Sequence, residues 1–163
     1  MLPRTEHFLS KNPEIWDDGG FAFECGPNRS TSTEADAVLA YFGATTVVSA
    51  RSGAWNHQVL VTDSAIREVE LEAGRRALVQ LLAHDLRMFS YRQVQRDVLE
   101  ELTDVFFSEM GQSKVFSNTM IYPAGQKADC LGPWSPVTKH SKDTFICVVN
   151  AECIAYWLYG DDE

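Results

Sequence analysis

The stretch from Ser90 to Gly111, SYRQVQRDVLEELTDVFFSEMG, constrains the fold more than any other part of the chain. Its apolar residues recur at three- and four-residue steps, which predicts an amphipathic helix with one apolar stripe. Ser90 and Gln93 form a capping-box pattern at the start, and Gly111 suits the left-handed conformation that commonly ends a helix. The stretch therefore predicts a helix that buries one face and exposes the other.

The exposed face of this predicted helix is acidic. At about 100° per residue, Asp97, Glu100, Glu101 and Asp104 fall within one narrow sector. Arg96 is the one cation between positions 94 and 110. Two interpretations follow: a solvated outer face, or an anionic docking surface for a basic partner.

The rest of the chain alternates between strand and helix patterns. Alternating or β-branched runs predict strands, and helical spacing or capping residues predict helices. The predicted strands are 21–25, 44–50, 57–62 and 114–122, and the predicted helices, besides 90–110, are 33–43 and 72–89. Residues 1–18 are expected to form a loop or a short helix, and 65–71 fit either a strand or a helix.

Two apolar runs near the carboxyl end, TFICVV and CIAYWLY, flank Asn150. They predict a central hairpin, or else a strand that leads into a terminal helix, and the hairpin is favoured. The whole pattern predicts one compact α+β domain over residues 1–163. It is a mainly antiparallel sheet of about five strands packed against two to three helices in a single pair of layers.

Residues 123–142 contain several prolines and glycines and predict a long irregular segment, and such segments are often functional. Trp134 is its most conspicuous aromatic residue. It is either a buried anchor for the segment or a side chain that contacts a partner. Trp55 and Tyr91 are further candidates for aromatic anchors at an interface.

The overall charge narrows the possible partners. Fourteen basic and 23 acidic side chains give a net charge of −9, which disfavours general nucleic-acid binding and anionic membrane surfaces. The start of the chain has no secretory-signal pattern, and no run is long and apolar enough for a membrane span. The cysteines Cys25, Cys130, Cys147 and Cys153 lack zinc-ligand spacing, so we expect free thiols in the cytoplasm, without a metal or cofactor.

One alternative is enzymatic. A reactive cysteine needs a nearby histidine, and His57 opens a strand while Cys153 could begin a helix. The segments His57-Gln-Val-Leu-Val and Asn150-Ala-Glu-Cys resemble the circularly permuted papain-like proteins of the lecithin:retinol acyltransferase group. The resemblance implies a thiol hydrolase or acyltransferase that uses His57 and Cys153. In an ungapped match, however, Ala151 occupies the position of the nucleophile, and Cys153 lies later in the chain.

The favoured expectation is a small acidic protein that acts by binding another protein. An inhibitor, either an immunity-type protein or a phage-type antagonist of a basic or nucleic-acid-handling partner, fits the net charge and the acidic helix face. The residues expected to contact the partner are Asp97, Glu100, Glu101, Asp104 and Trp134.

Overall fold

The computed structural model describes residues 1–16, 21–44, 46–53, 56–83, 94–127, 129–140 and 142–161. The helices are α1 (Pro3–Lys11), α2 (Glu34–Phe42), α3 (Leu71–Ala83) and α4 (Arg96–Met110), with a short 3-10 turn at Pro13–Ile15. The strands are β1 (Phe21–Pro27), β2 (Thr46–Ser49), β3 (Asn56–Val59), β4 (Arg67–Val69), β5 (Lys114–Ser117), β6 (Thr119–Ile121), β7 (Leu131–Trp134), β8 (Lys142–Val149) and β9 (Cys153–Asp161).

The predicted fold class is confirmed: the chain is α+β, with a central antiparallel sheet of five strands. The strand order is β1-β9-β8-β5-β4, and every neighbouring pair is antiparallel. Two smaller sheets, β2–β3 and β6–β7, accompany it within the described residues. The strands predicted at 44–50 and 57–62 therefore do pair with each other, as β2 and β3.

The central sheet is buried on both faces, which adds a third layer to the expected pair. Along β9, Cys153, Ala155, Trp157 and Tyr159 join the core beneath α1, α3 and α4. The alternate residues Ile154, Tyr156 and Leu158 join a second core beneath α2 and the β2–β3 sheet. A strand that is covered on both sides loses the alternation of apolar and polar residues, which explains the continuous apolar run in this part of the sequence.

Aromatic contacts fix α4 to the sheet. The Trp157 ring, fully buried, lies 4.2 Å from the Phe23 ring and 5.2 Å from the Phe106 ring of α4, measured between centroids. Such pairs contribute about 0.5–1.5 kcal/mol each beyond the area that they bury. The acidic face of α4 therefore stands on a rigid base.

The favoured hairpin between β8 and β9 is confirmed, and Asn150 explains it. Its side-chain oxygen accepts hydrogen bonds from the N–H groups of Glu152 and Cys153, at 2.8 and 2.7 Å. Its side-chain Nδ2 donates to the carbonyl oxygen of Met110 at 2.7 Å, which also satisfies the carboxyl end of α4. A local turn of this kind competes with helix formation. Cys153–Asp161 is a strand paired with β8, so the alternative of a terminal helix after Asn150 is wrong.

Other boundaries differ from those predicted. Helix α4 begins at Arg96, after Gln95, which makes no side-chain cap; Ser90 and Gln93, the predicted capping box, lie outside the described residues. The strand predicted over 114–122 is broken at Asn118, whose backbone N–H and side chain bond neighbouring segments. The predicted irregular segment 123–142 contains β7, which pairs with β6.

Candidate functional site

The carboxylates of the predicted acidic face, Asp97, Glu100, Glu101 and Asp104, all lie on α4 and are all exposed. The opposite side of this helix is buried against the central sheet and α3. The helical spacing therefore places the charged face where a partner could reach it.

The carboxylates on the α3 side of this face are already paired within the chain. The Nε atom of Arg96 lies 2.9 Å from Oε1 of Glu100, one helical turn away. Arg75 reaches across from α3 to form an ion pair with Asp104, and its Nε lies 3.8 Å from Glu72. Exposed pairs of this kind contribute only about 0.2–1 kcal/mol to stability. Their main effect here is to neutralise part of the acidic face.

These charged side chains line the groove between α3 and α4. It is a shallow cleft of about 300 Å³. Its charged lining consists of three arginines and three carboxylates: Arg75, Arg76, Arg96, Glu72, Glu100 and Asp104. The groove is formally neutral, so the row of carboxylates on α4 is not a uniformly anionic surface.

Asp97 and Glu101 form the part of the face that stays anionic. Neither has an ion-pair partner in the part of the chain that the structure describes. They lie four positions apart on the outermost side of α4, and Oδ1 of Asp97 also accepts the N–H of Val98 at 2.9 Å. We call these two residues the outer carboxylate pair.

Trp134 lies in β7, opposite Thr119 of β6. Its side chain is 41% exposed, whereas Thr119 is buried. The side chain is thus not a fully buried anchor, and it leaves a large aromatic surface in contact with solvent. Trp55 and Tyr91, the other candidate anchors, lie outside the described residues.

The structure does not bring His57 and Cys153 together. A Cβ atom added at Gly160, near the end of β9, would lie 3.1 Å from Nδ1 of His57. Cys153 begins the same strand. At roughly 3.3 Å per residue, the two positions are about 23 Å apart along β9. The catalytic pair implied by the resemblance is therefore not formed.

His57 instead contacts His140, a pairing that the sequence analysis did not predict. Its Nδ1 atom lies 2.7 Å from Nε2 of His140, and the two rings meet edge to face. His57 is buried, and Gly160 leaves the space that both rings occupy. Residues so distant in sequence are joined only by the tertiary fold, and no local pattern predicts such a contact.

Asp143 holds the segment that carries His140. Its buried carboxylate accepts hydrogen bonds from the N–H and hydroxyl of Thr138, at 2.8 and 2.7 Å, and from Nδ2 of Asn118, at 2.6 Å. The N–H of Val137 adds a further bond at 3.1 Å. The Thr138 hydroxyl oxygen in turn accepts the N–H of His140 at 3.1 Å.

Burial raises the pKa of Asp143, and the hydrogen bonds from Thr138, Val137 and Asn118 lower it without reversing the shift. No local pattern predicts this network, since a lone Asp at the start of an apolar run is usually exposed. It orders the segment before β8, which carries His140.

The cysteine environments are those of structural thiols. Burial, with nearby Cys153, raises the pKa of Cys25 to about 12. Burial also raises the pKa of Cys153, whose Sγ lies 3.6 Å from Sδ of Met110. Reactive cysteines need a lowered pKa and some exposure, so neither thiol is activated.

No family model matches the chain, and neither a curated protein nor a solved structure is significantly similar to it. Within the described ranges, no group of three or more His, Cys, Asp or Glu side chains could hold a metal ion. None of the helices in those ranges combines the length and the apolar character that crossing a bilayer requires.

Proposed function

We propose that the chain acts by binding a basic protein through the outer face of α4, as an inhibitor of that partner in the cytoplasm. The observation that carries the proposal is the outer carboxylate pair, Asp97 and Glu101, exposed on a helix that the core holds rigidly. The net charge of −9 adds a long-range attraction for a basic surface.

The arrangement also limits the size of the docking surface. Because Arg96 and Arg75 already neutralise Glu100 and Asp104, steering depends mainly on Asp97 and Glu101. Charge complementarity of this kind raises the association rate more than the final affinity. The groove beside the pair, with its mixed charges, would then select for partners with charges of both signs.

A pair of matched charge reversals tests the proposal. Glu101→Lys changes the outer carboxylate pair, and Asp63→Lys makes the same change in charge at an exposed position on the α2 side of the sheet. Each variant would be used to capture partners from a native lysate at low and high salt, with the wild type beside it.

We expect a basic protein that the wild type and Asp63→Lys capture at low salt, that Glu101→Lys loses, and that high salt releases. Its activity should fall when the wild-type chain is added to the purified partner. Equal capture by both variants, or capture that is indifferent to salt, would show that the face of α4 is only a solvated surface.

The thiol-enzyme alternative gains no support from the geometry. His57 and Cys153 lie near opposite ends of β9, and the thiol of Cys153 is buried. We therefore do not propose it as a second function.

A further inference from the structure

A cleft on the other side of the sheet is separate from the face of α4. It has a volume of about 410 Å³ and lies between residues 27–30, helix α2 and the start of β9. Ligand sites in proteins typically have volumes of about 300–1,000 Å³ and combine an apolar lining with a few polar groups. The volume of this cleft suits a small molecule.

The wall formed by residues 27–30 is held in place before any ligand arrives. The N–H of Asn28 donates to the carbonyl oxygen of Glu152, and Nδ2 of Asn28 donates to that of Asn150, both at 2.8 Å. Oδ1 of Asn28 accepts the N–H of Ser30 at 3.0 Å. These bonds tie the segment to the β8–β9 turn, so a ligand would not have to order it.

The facing wall is the surface of α2. Its first turn is fixed by a capping box between Thr33 and Asp36. Ala37, Ala40 and Tyr41 line the cleft from this side. A Cβ atom at Gly26 would lie 3.0 Å from the Tyr41 hydroxyl oxygen, so glycine at this position allows the ring to lie across β1.

The polar groups of the cleft favour an anion. Arg29 is the charged member of the lining, and its guanidinium has no ion-pair partner among the residues that the structure describes. The Tyr41 hydroxyl likewise makes no hydrogen bond within those ranges. Burial, followed by the nearby Glu24 carboxylate, raises the pKa of Tyr41. A tyrosine hydroxyl is protonated at neutral pH in any case and can act as a donor. The Glu24 carboxylate itself accepts a hydrogen bond from Tyr156 at 2.6 Å.

We infer that this cleft binds a small organic anion with an apolar body, its anionic group held by Arg29 and Tyr41. The apolar body would lie on Ile154, Pro27 and the alanines of α2. An exposed arginine without an ion-pair partner, at a cleft that also has apolar lining, supports this chemistry in a chain that otherwise carries a large excess of acidic groups.

The test is a ¹H–¹⁵N NMR titration of the full chain with benzoate and indole-3-acetate, each compared with its neutral amide. We expect saturable shifts of the amides at 26, 28–30, 37–41 and 154, with the anion binding about threefold to tenfold more tightly than its amide. No response to either anion, shifts centred elsewhere, or equal binding of anion and amide would overturn the inference.

Three variants locate the contacts. Arg29→Gln should reduce the affinity for the anion to that for the amide, while Arg67→Gln, the same change on the opposite edge strand β4, should leave both unchanged. Ala40→Leu keeps a good helix former at an exposed position and fills the cleft, so it should abolish binding of both. Retained binding in Ala40→Leu, or equal losses in the two arginine variants, would contradict the assignment.

Discussion

Glu109 caps helix α1 from a distant part of the chain, and removing this cap is the sharpest test of the fold. Its carboxylate accepts hydrogen bonds from the N–H groups of Arg4 and Thr5, at 2.8 and 2.7 Å, and from the Thr5 hydroxyl at 2.7 Å. The residue at the N-cap position itself, Leu2, makes no side-chain cap. Glu109 therefore satisfies amides that α1 leaves free in its first turn.

The cost of Glu109→Ala follows from these bonds. Loss of a helix cap costs about 0.5–2 kcal/mol, and a buried hydroxyl left without its acceptor costs about 1–3 kcal/mol. Thr5 is fully buried, whereas Glu109 is only half-buried, so we take the lower part of the summed range. We expect a loss of about 2–3 kcal/mol, which lowers Tm by roughly 4–12 °C for a chain of this size.

The pH dependence gives the same prediction an independent check. Burial acts to raise the pKa of Glu109, but hydrogen bonds from Thr5 and Arg4 outweigh it and hold the pKa below its usual value. The stabilisation is therefore fully present above the pKa of the unfolded chain and is lost as the pH falls through the pKa of the folded state.

Urea unfolding of the wild type and Glu109→Ala at neutral pH measures the cost, and Glu109→Gln and Glu101→Gln over a range of pH measure its pH dependence. The difference in unfolding free energy between the wild type and Glu109→Gln should shrink as the pH falls through the pKa of Glu109 in the folded state. Glu101→Gln, an exposed change on the same helix, should shift the free energy by less than about 0.5 kcal/mol. A gap for Glu109→Gln that is absent at neutral pH, or constant with pH, would refute the capping role.

Asp143 and Gly160, which pair across β8 and β9, and the thiols of Cys25 and Cys153 can each be tested. Asp143→Asn should cost about 2–4 kcal/mol in urea unfolding, because N–H donors lose a buried acceptor. Since burial raises the pKa of Asp143, its contribution is fully present below the unfolded pKa and is lost as the pH rises through the folded pKa. The gap to wild type should therefore widen on acidification, and a gap that narrows would contradict this. Gly160→Ala would place a Cβ atom 2.7 Å from the His140 ring, so it should lower the unfolding free energy by about 1–3 kcal/mol; an unchanged urea midpoint would disprove the contact. Iodoacetamide at neutral pH should label Cys25 and Cys153 far more slowly in the folded than in the urea-unfolded chain, because burial raises the pKa of both; rapid labelling of folded Cys153 would reopen the enzymatic alternative.

Local patterns predicted the elements whose evidence is contained in a few neighbouring residues. The stripe of α4, the alternation in β1 and the β-branched run of β2 each specify one element through periodicity or propensity. The two apolar runs around Asn150 predicted a hairpin, and the turn forms because the Asn150 side chain accepts the N–H groups of the following residues. The β6–β7 pairing was missed because the prolines and glycines of residues 123–142 hide the short strand β7.

The groups that long-range contacts create could not be predicted. Asp143 looks like an ordinary charged residue in the sequence. It is a buried acceptor because the tertiary fold brings Asn118 and residues 137–138 within hydrogen-bond distance of its carboxylate. The contact between His57 and His140 likewise depends on how the β2–β3 sheet packs against the end of β9. The cleft beside α2 depends on Asn28 bonding the β8–β9 turn, which no spacing in the sequence reveals.

The acidic face of α4 shows why the charge of a helix does not define the charge of a surface. The helical periodicity correctly predicted that one side of α4 carries the carboxylates of Asp97, Glu100, Glu101 and Asp104. The potential felt by a partner also includes Arg75 of α3, which packing brings against Asp104 from outside the helix. A basic partner would thus meet an anionic surface at the outer pair and mixed charges beside it. The complementarity of the partner to the outer carboxylate pair and to the mixed charges of the groove, more than the partner's net charge, would decide whether it binds.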